Sequence, residues 1–113
     1  MRQFADPITG RKLRFALAGC GRIAQNHFAA LKQHAEFAEL VSVCDIDPVA
    51  LQAAAKLTGA KPFTSLTSMV AETTADIVVL TTPSGLHPDQ AIEIAASGRH
   101  VMTEKPMATR WHD

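Results

Sequence analysis

Cysteine is scarce in this sequence. The two present, Cys20 and Cys44, form no C-x-x-C pair and have no metal-ligand spacing. Neither suggests a redox or metal role, and both read as small buried residues at strand ends in a reducing, cytoplasmic setting. An excess of charge of one sign is also missing, since eleven Lys and Arg balance eleven Asp and Glu. No electrostatic partner is therefore expected, neither nucleic acid nor a membrane surface. No apolar run approaches the roughly 20 residues of a transmembrane helix. The first residues, Met1 to Pro7, lack the apolar core of a signal peptide. There is no internal repeat, no low-complexity linker and no GxxxxGK[ST] phosphate loop, so phosphate transfer is a poor reading. What is present is 113 residues, 47% of them hydrophobic, enough for one core-forming domain or part of one. Residues 1–12 hold Pro7 and Gly10 and read as a polar lead-in, a candidate for disorder.

The chain is organised around Ala16-Leu17-Ala18-Gly19-Cys20-Gly21-Arg22-Ile23-Ala24. A short apolar run enters a glycine turn and leaves it as a helix. Gly19-x-Gly21-x-x-Ala24 has the form of the dinucleotide fingerprint. Gly19 would permit the tight turn, Gly21 would let the backbone approach a pyrophosphate, and Ala24 would let the helix pack closely on the strand. The free N–H groups at the helix start, with its dipole, suit phosphate. Arg22 and Ile23 lie between these positions and are counted with the cofactor-binding residues. Arg22 either contacts the pyrophosphate or stays exposed.

Strands alternate with helices along the rest of the chain. Arg14 to Ala18 is the first strand. The next helix places Ala24, Phe28, Leu31 and Ala35 on one stripe, with His27 and His34 on or near the solvent side. Leu40 to Cys44 is the second strand. A helix from Pro48 to about Leu57 turns Ala50, Ala53, Ala54 and Leu57 inward and stops at Gly59. Lys61 to Thr64 reads as a short edge strand because of Pro62. Ser65 caps a brief helix holding Leu66, Met69 and Val70. The β-branched run Ile77-Val78-Val79-Leu80 suits a parallel strand covered on both faces. A loop from Thr81 to His87 follows, then a helix with Ala91, Ile94 and Ala95 inward, a stop at Gly98, and a fifth strand over His100 to Thr103. Right-handed crossovers make this an α/β fold, a doubly wound parallel sheet of the Rossmann type ordered 3-2-1-4-5.

Asp45 ends the second strand 21 positions after Ala24, close to the roughly 20-residue spacing of the acid that binds the adenosine ribose. A carboxylate there accepts from both ribose hydroxyls and repels a 2′-phosphate, which selects NAD over NADP. As an alternative, Asp45 is a turn residue before the next helix, although Asp47-Pro48 already supplies that helix with a cap and first-turn proline.

Three motifs now stand at strand ends: Gly19-Cys20-Gly21-Arg22-Ile23-Ala24, Thr82-Pro83-Ser84-Gly85-Leu86-His87, and Glu104-Lys105-Pro106. In this order they resemble the glucose–fructose oxidoreductase/inositol dehydrogenase/MocA family over residues 13–113. The wording of residues 21–28, 81–88 and 104–111 is similar, within that family, to bacterial UDP-N-acetylglucosaminuronate 3-dehydrogenases of lipopolysaccharide O-antigen synthesis. The resemblance implies an NAD cofactor, with Glu104 on the nicotinamide-side ribose. Lys105 would be the catalytic residue, beside the nicotinamide and the substrate hydroxyl. It implies that Thr82, Pro83 and Leu86 lie near the nicotinamide ribose and ring, with His87 hydrogen-bonding close by. For His87 the alternative is a plain helix start with Pro88, and for Glu104-Lys105 a solvated charge pair.

The family's Asp-x-x-x-His pattern belongs to a second, substrate-binding domain that this sequence does not contain. Thr109 looks like the cap of a helix that is not continued, so the chain is expected to be an N-terminal fragment. It would hold NAD but not turn over substrate alone. The implied activity is oxidation at C3 of a UDP-linked 2-acetamido uronic acid, with 2-oxoglutarate as a hydride acceptor and a homo-oligomer as the full-length form. The rivals are another sugar or cyclitol dehydrogenase of the family, and a non-catalytic NAD-binding module. A Rossmann methyltransferase would explain the glycine turn and Asp45 but not Glu104-Lys105-Pro106.

Overall fold

Alternation of buried side chains along the strands sets the architecture. In β1 (Leu13–Ala18), Ala16 and Ala18 pack on one side and Leu17 on the other, all three fully buried. In β4 (Ile77–Leu80), Val78 and Leu80 oppose Val79 in the same way. Strands buried on both faces need helices on both faces. The computed structural model, which describes residues 10–82 and 86–103, supplies them. The remaining elements are α1 (Arg22–Gln33), β2 (Ala38–Cys44), α2 (Pro48–Thr58), β3 (Lys61–Phe63), α3 (Leu66–Glu72), α4 (His87–Ala96) and β5 (His100–Thr103). The sheet runs β3-β2-β1-β4-β5 with every pair parallel, which is the expected order.

Leu17 lies level with Val43 and Val79. These three meet Ala24 and Phe28 of α1 and Leu51 and Ala54 of α2. The opposite face joins Ala16, Ala18, Val78 and Leu80 to Met69 and Val70 of α3 and Ile94 of α4. One buried polar pair crosses that layer: the Ser42 and Thr73 hydroxyls lie 2.7 Å apart and satisfy each other. Local chemistry ends the elements where the sequence indicated. The Asp47 carboxylate accepts the Val49 N–H at 3.0 Å, Ser65 accepts from Ser68 at 3.1 Å, and Gly59 closes α2 at φ 76°. Pro62 sits on β3, at the sheet edge.

Several inward assignments need correction. Ala35 is exposed because α1 ends at Gln33 and Ala35 lies in the turn that leads into β2. In α2 the buried residues are Leu51 and Ala54, while Ala53 is exposed and Leu57 is 64% exposed. Rotation of this nearly all-apolar helix brings Leu51 rather than Ala53 onto the sheet. Ala35 and Leu57 instead line a groove of about 620 Å³ between α1, α2 and the start of β2. In α4, Ile94 is buried and Ala91 half-buried, but Ala95 is exposed. β1 begins one residue earlier than expected and β2 two earlier. His27 is half-buried and His34 exposed.

The end of the sheet where the strands begin is closed by charge. Arg11, in the polar lead-in, makes a two-pronged contact with Asp76 at 2.8 Å per oxygen. The same carboxylate accepts the Arg14 N–H at 2.9 Å. The Asp76 backbone bonds to Arg14 on β1 and His100 on β5, so one residue joins three strands. Arg99 adds a second tie, donating to the carbonyls of Ala75 and Thr73. The guanidinium and the Arg14 N–H hold the Asp76 carboxyl down at about 2, against the opposing effect of burial. A depressed carboxyl stabilises the fold above its unfolded pKa near 4, and that contribution is lost as pH falls through about 2. Replacing Asp76 with Asn should therefore cost about 1 kcal/mol near pH 7, a value tempered by the exposed arginine. Denaturant melts at pH 7 and pH 2.5 should show the difference shrinking at the lower pH.

Candidate functional site

At the opposite end, three strands finish beside one another, and their exits carry most of the residues expected to bind a cofactor. Gly19 leaves β1 at φ 93°. A Cβ there would come within 2.9 Å of the Thr81 and Thr82 backbone. Glycine is thus required twice, for its conformation and for the close approach of the β1 and β4 exits. Gly21 differs. Its backbone is extended, at φ −82° and ψ −155°, and a Cβ there would meet none of the described residues within 4 Å. The open space lies at the N-cap of α1. That cap has no side-chain hydrogen bond, and the helix's first turn holds no acid. A helix start of this kind leaves backbone N–H groups and the positive end of the dipole to an outside anion.

Asp45, at the exit of β2, faces the same turn. One carboxylate oxygen accepts the Cys20 N–H at 2.7 Å and the other accepts the Asp47 N–H at 2.8 Å. The second contact is the local turn bond that the alternative reading anticipated. The first ties β2 to the glycine turn. Each oxygen keeps a further lone pair, so the carboxylate can still accept from hydroxyl donors.

At the exit of β4, the single Thr81 hydroxyl proton is shared between the carbonyls of Ala18 (3.0 Å) and Gly19, the shorter contact, while the Thr81 N–H donates to Ala18 at 2.9 Å. Thr82 is half-buried, and its hydroxyl donates to Gln90 Oε1 of α4 at 2.5 Å. Leu86 opens α4 and is 50% exposed. Gly19, Gly21, Asp45, Thr82 and Leu86 therefore all fall at strand exits or at the helix starts that follow them. Pro83, Glu104 and Lys105 lie outside the described residues, as do the side chains of Arg22, Ile23 and His87. Thr81 and Gln90 were not anticipated. Their importance rests on contacts with other elements, and a Thr-Thr pair closing an apolar run is the only hint in the sequence.

Cys20 and Cys44 are buried and unpaired, as expected. Burial, reinforced by the Asp45 charge, pushes the Cys20 thiol up to about 11. Burial and Cys20 itself raise Cys44 to about 12. Both are therefore protonated and unreactive at neutral pH. Among the described residues, no group of three or more His, Cys, Asp or Glu could hold a metal. Among them, too, no helix is long and apolar enough to cross a membrane.

Residues 13–113 match the model of the glucose–fructose oxidoreductase/inositol dehydrogenase/MocA group, described as an oxidoreductase family with an NAD-binding Rossmann fold. The chain belongs to this family. It is 35% identical over 102 residues to 4-carboxy-2-hydroxymuconate-6-semialdehyde dehydrogenase of Sphingobium sp., covering 89% of this chain and 32% of that protein. It is 36% identical over 95 residues to inositol 2-dehydrogenase of Rhizobium meliloti, covering 84% of this chain and 28% of the relative. Among solved structures it resembles the WlbA dehydrogenase of Chromobacterium violaceum in complex with NADH and UDP-GlcNAcA. The identity is 66% and the TM-score 0.92, over 98% of this chain and 32% of that one. The Bordetella pertussis WlbA complex with the same two ligands gives 63% and 0.88, over 94% and 32%. The chain thus spans about a third of the length of these relatives.

The two glycines should respond differently to alanine. Gly19→Ala meets backbone and a forbidden conformation, and should cost about 2 kcal/mol or more. Gly21→Ala meets no such clash but replaces a favoured N-cap residue with a poor one, and should cost less than about 1 kcal/mol. Thermal or denaturant melts of the two variants check both values.

Proposed function

We propose that this chain is the cofactor-binding domain of an NAD-dependent sugar dehydrogenase that oxidises C3 of UDP-2-acetamido-2-deoxyglucuronic acid in O-antigen synthesis. On this reading a substrate domain follows in the full-length protein, a cytoplasmic homo-oligomer. The observation that carries the reading is the pairing of the open Gly21 position with a carboxylate, Asp45, anchored across the same turn. Two WlbA enzymes solved with NADH and UDP-GlcNAcA, 63–66% identical over this region, support the choice of substrate.

The residues present fit the cofactor. The space beyond Gly21 and the uncapped start of α1 suit a pyrophosphate. Asp45 can accept both adenosine ribose hydroxyls through its remaining lone pairs, and its charge disfavours a 2′-phosphate. Thr82, Pro83, Leu86 and His87 would border the nicotinamide ribose and ring, and Glu104 would hold that ribose. When bound, NAD+ supplies the hydride acceptor. Lys105 would orient the C3 hydroxyl and take up its proton at Nζ as the carbon becomes a ketone. That role needs a lysine pKa lowered by desolvation or a neighbouring cation. We further infer that 2-oxoglutarate serves as the final hydride acceptor, becoming 2-hydroxyglutarate.

The direct test incubates the full-length protein with NAD+, 2-oxoglutarate and UDP-N-acetylglucosaminuronic acid and follows products by mass spectrometry. The expected product is two mass units lighter than the sugar nucleotide and forms with stoichiometric 2-hydroxyglutarate. An unchanged sugar nucleotide with NAD still bound would move the activity to another substrate or to a binding module. Asp45→Ala should weaken NAD binding by at least ~1 kcal/mol in calorimetry, and should narrow the preference for NAD over NADP. Lys105→Ala should keep NAD affinity within a few-fold and lose turnover, and near-normal turnover would remove its catalytic role.

A further inference from the structure

Gly19 C=O and Cys20 N–H belong to one peptide group, and that group is held from both sides. On the β2 side, the N–H donates to Asp45 at 2.7 Å. On the β4 side, the carbonyl accepts from the Thr81 hydroxyl. The preceding peptide has the same polarity, with Gly19 N–H toward Cys44 on β2 and Ala18 C=O toward Thr81 on β4. In an extended strand consecutive peptides alternate, so the second should point its carbonyl at β2 and its N–H at β4. The positive φ of Gly19 reverses it. Without that reversal a carbonyl oxygen would face the Asp45 carboxylate, and the two would repel.

The geometry points to Thr81 as a positioning residue for the cofactor. Its hydroxyl holds the Gly19–Cys20 peptide in the reversed orientation, and so keeps the Cys20 N–H on Asp45 and the glycine turn set for a pyrophosphate. Asp45 and Thr81 form a two-sided clamp that takes over where the sheet's backbone ladder ends. A turn already fixed before binding loses less freedom when a dinucleotide arrives. This inference rests on the reading that the turn and Asp45 hold NAD. Thr81 itself need not touch the cofactor.

The test uses the full-length protein, with NAD affinity measured by calorimetry and Cys20 amide exchange measured by NMR without NAD. Thr81→Val removes the hydroxyl at nearly constant shape. It should weaken NAD binding five- to tenfold and speed Cys20 exchange at least tenfold, and Thr81→Ser should restore both. In an Asp45→Ala background, Thr81→Val should weaken NAD binding less than twofold further, because one half of the clamp is already gone. Wild-type protein that binds NAD while Thr81→Val binds it within twofold would overturn the inference. Equal losses in both backgrounds would also overturn it, since they indicate general support of the fold. Failure of the wild type to bind NAD would instead defeat the cofactor reading, leaving Cys20 exchange in Thr81→Val to decide the clamp. An unprotected Cys20 amide in the wild type overturns the clamp without any variant.

Discussion

The close approach of β1 and β4 at Gly19 is the constraint on which the rest of the structure depends. Two strand exits meet there with no room for a Cβ, and Thr81 bonds back to the residues leaving β1. β1 is the middle strand of the sheet. From its end the chain turns through the glycines into α1 and returns on β2, on one side of β1. β4 arrives on the other side after the crossover through α3. Any bulk at Gly19 would wedge apart the two halves of the sheet at the point where their directions diverge. In open α/β sheets such a divergence leaves a crevice at the strand exits, which is where ligands bind.

The two ends of the sheet solve their polar requirements in opposite ways. Where the strands begin, Arg11, Asp76 and Arg99 are spent on one another and on backbone carbonyls and N–H groups. Where they end, polar groups are held in place with bonding capacity left over. Among the described residues, Asp45 takes one backbone donor per oxygen and no ion pair. The start of α1 carries neither a capping side chain nor an acid. A neutralised carboxylate and a capped helix would have served stability equally well. On the proposed reading, they would also have removed the features that suit this end to a dinucleotide.

Much of the fold was legible because the punctuation is strong. Pro48, Gly59, Ser65 and Gly98 bound their elements, Pro62 marks β3 as an edge strand, and the β-branched run of β4 admits little but a buried strand. Helix faces were less legible. α2 offers Val49, Ala50, Leu51, Ala53, Ala54, Ala55 and Leu57, and so many apolar residues leave several stripes with helical spacing. Packing on the sheet, not periodicity, selects Leu51 and Ala54. At the site, the glycines and Asp45 were legible because they belong to one local turn and one strand end. Thr81 acts 62 residues away from Gly19, and a threonine after a strand has no pattern that marks it. Of the two readings of Asp45, the turn bond is present on one oxygen, while the other oxygen holds the Cys20 N–H of the glycine turn.

Under the function proposed above, the relatives bear on how labour is divided in the full-length protein. One is named for a muconate semialdehyde and another for an inositol, yet both share this region at 35–36% identity. Such unlike molecules have no common group for one surface to recognise beyond the site of oxidation. On the proposed reading, the glycine turn, the anchored carboxylate and the clamp that sets them serve the hydride acceptor in this chain. Discrimination between substrates must come from groups that contact the rest of the molecule. On the proposed reading, those groups lie mainly in the two thirds of the protein beyond this chain.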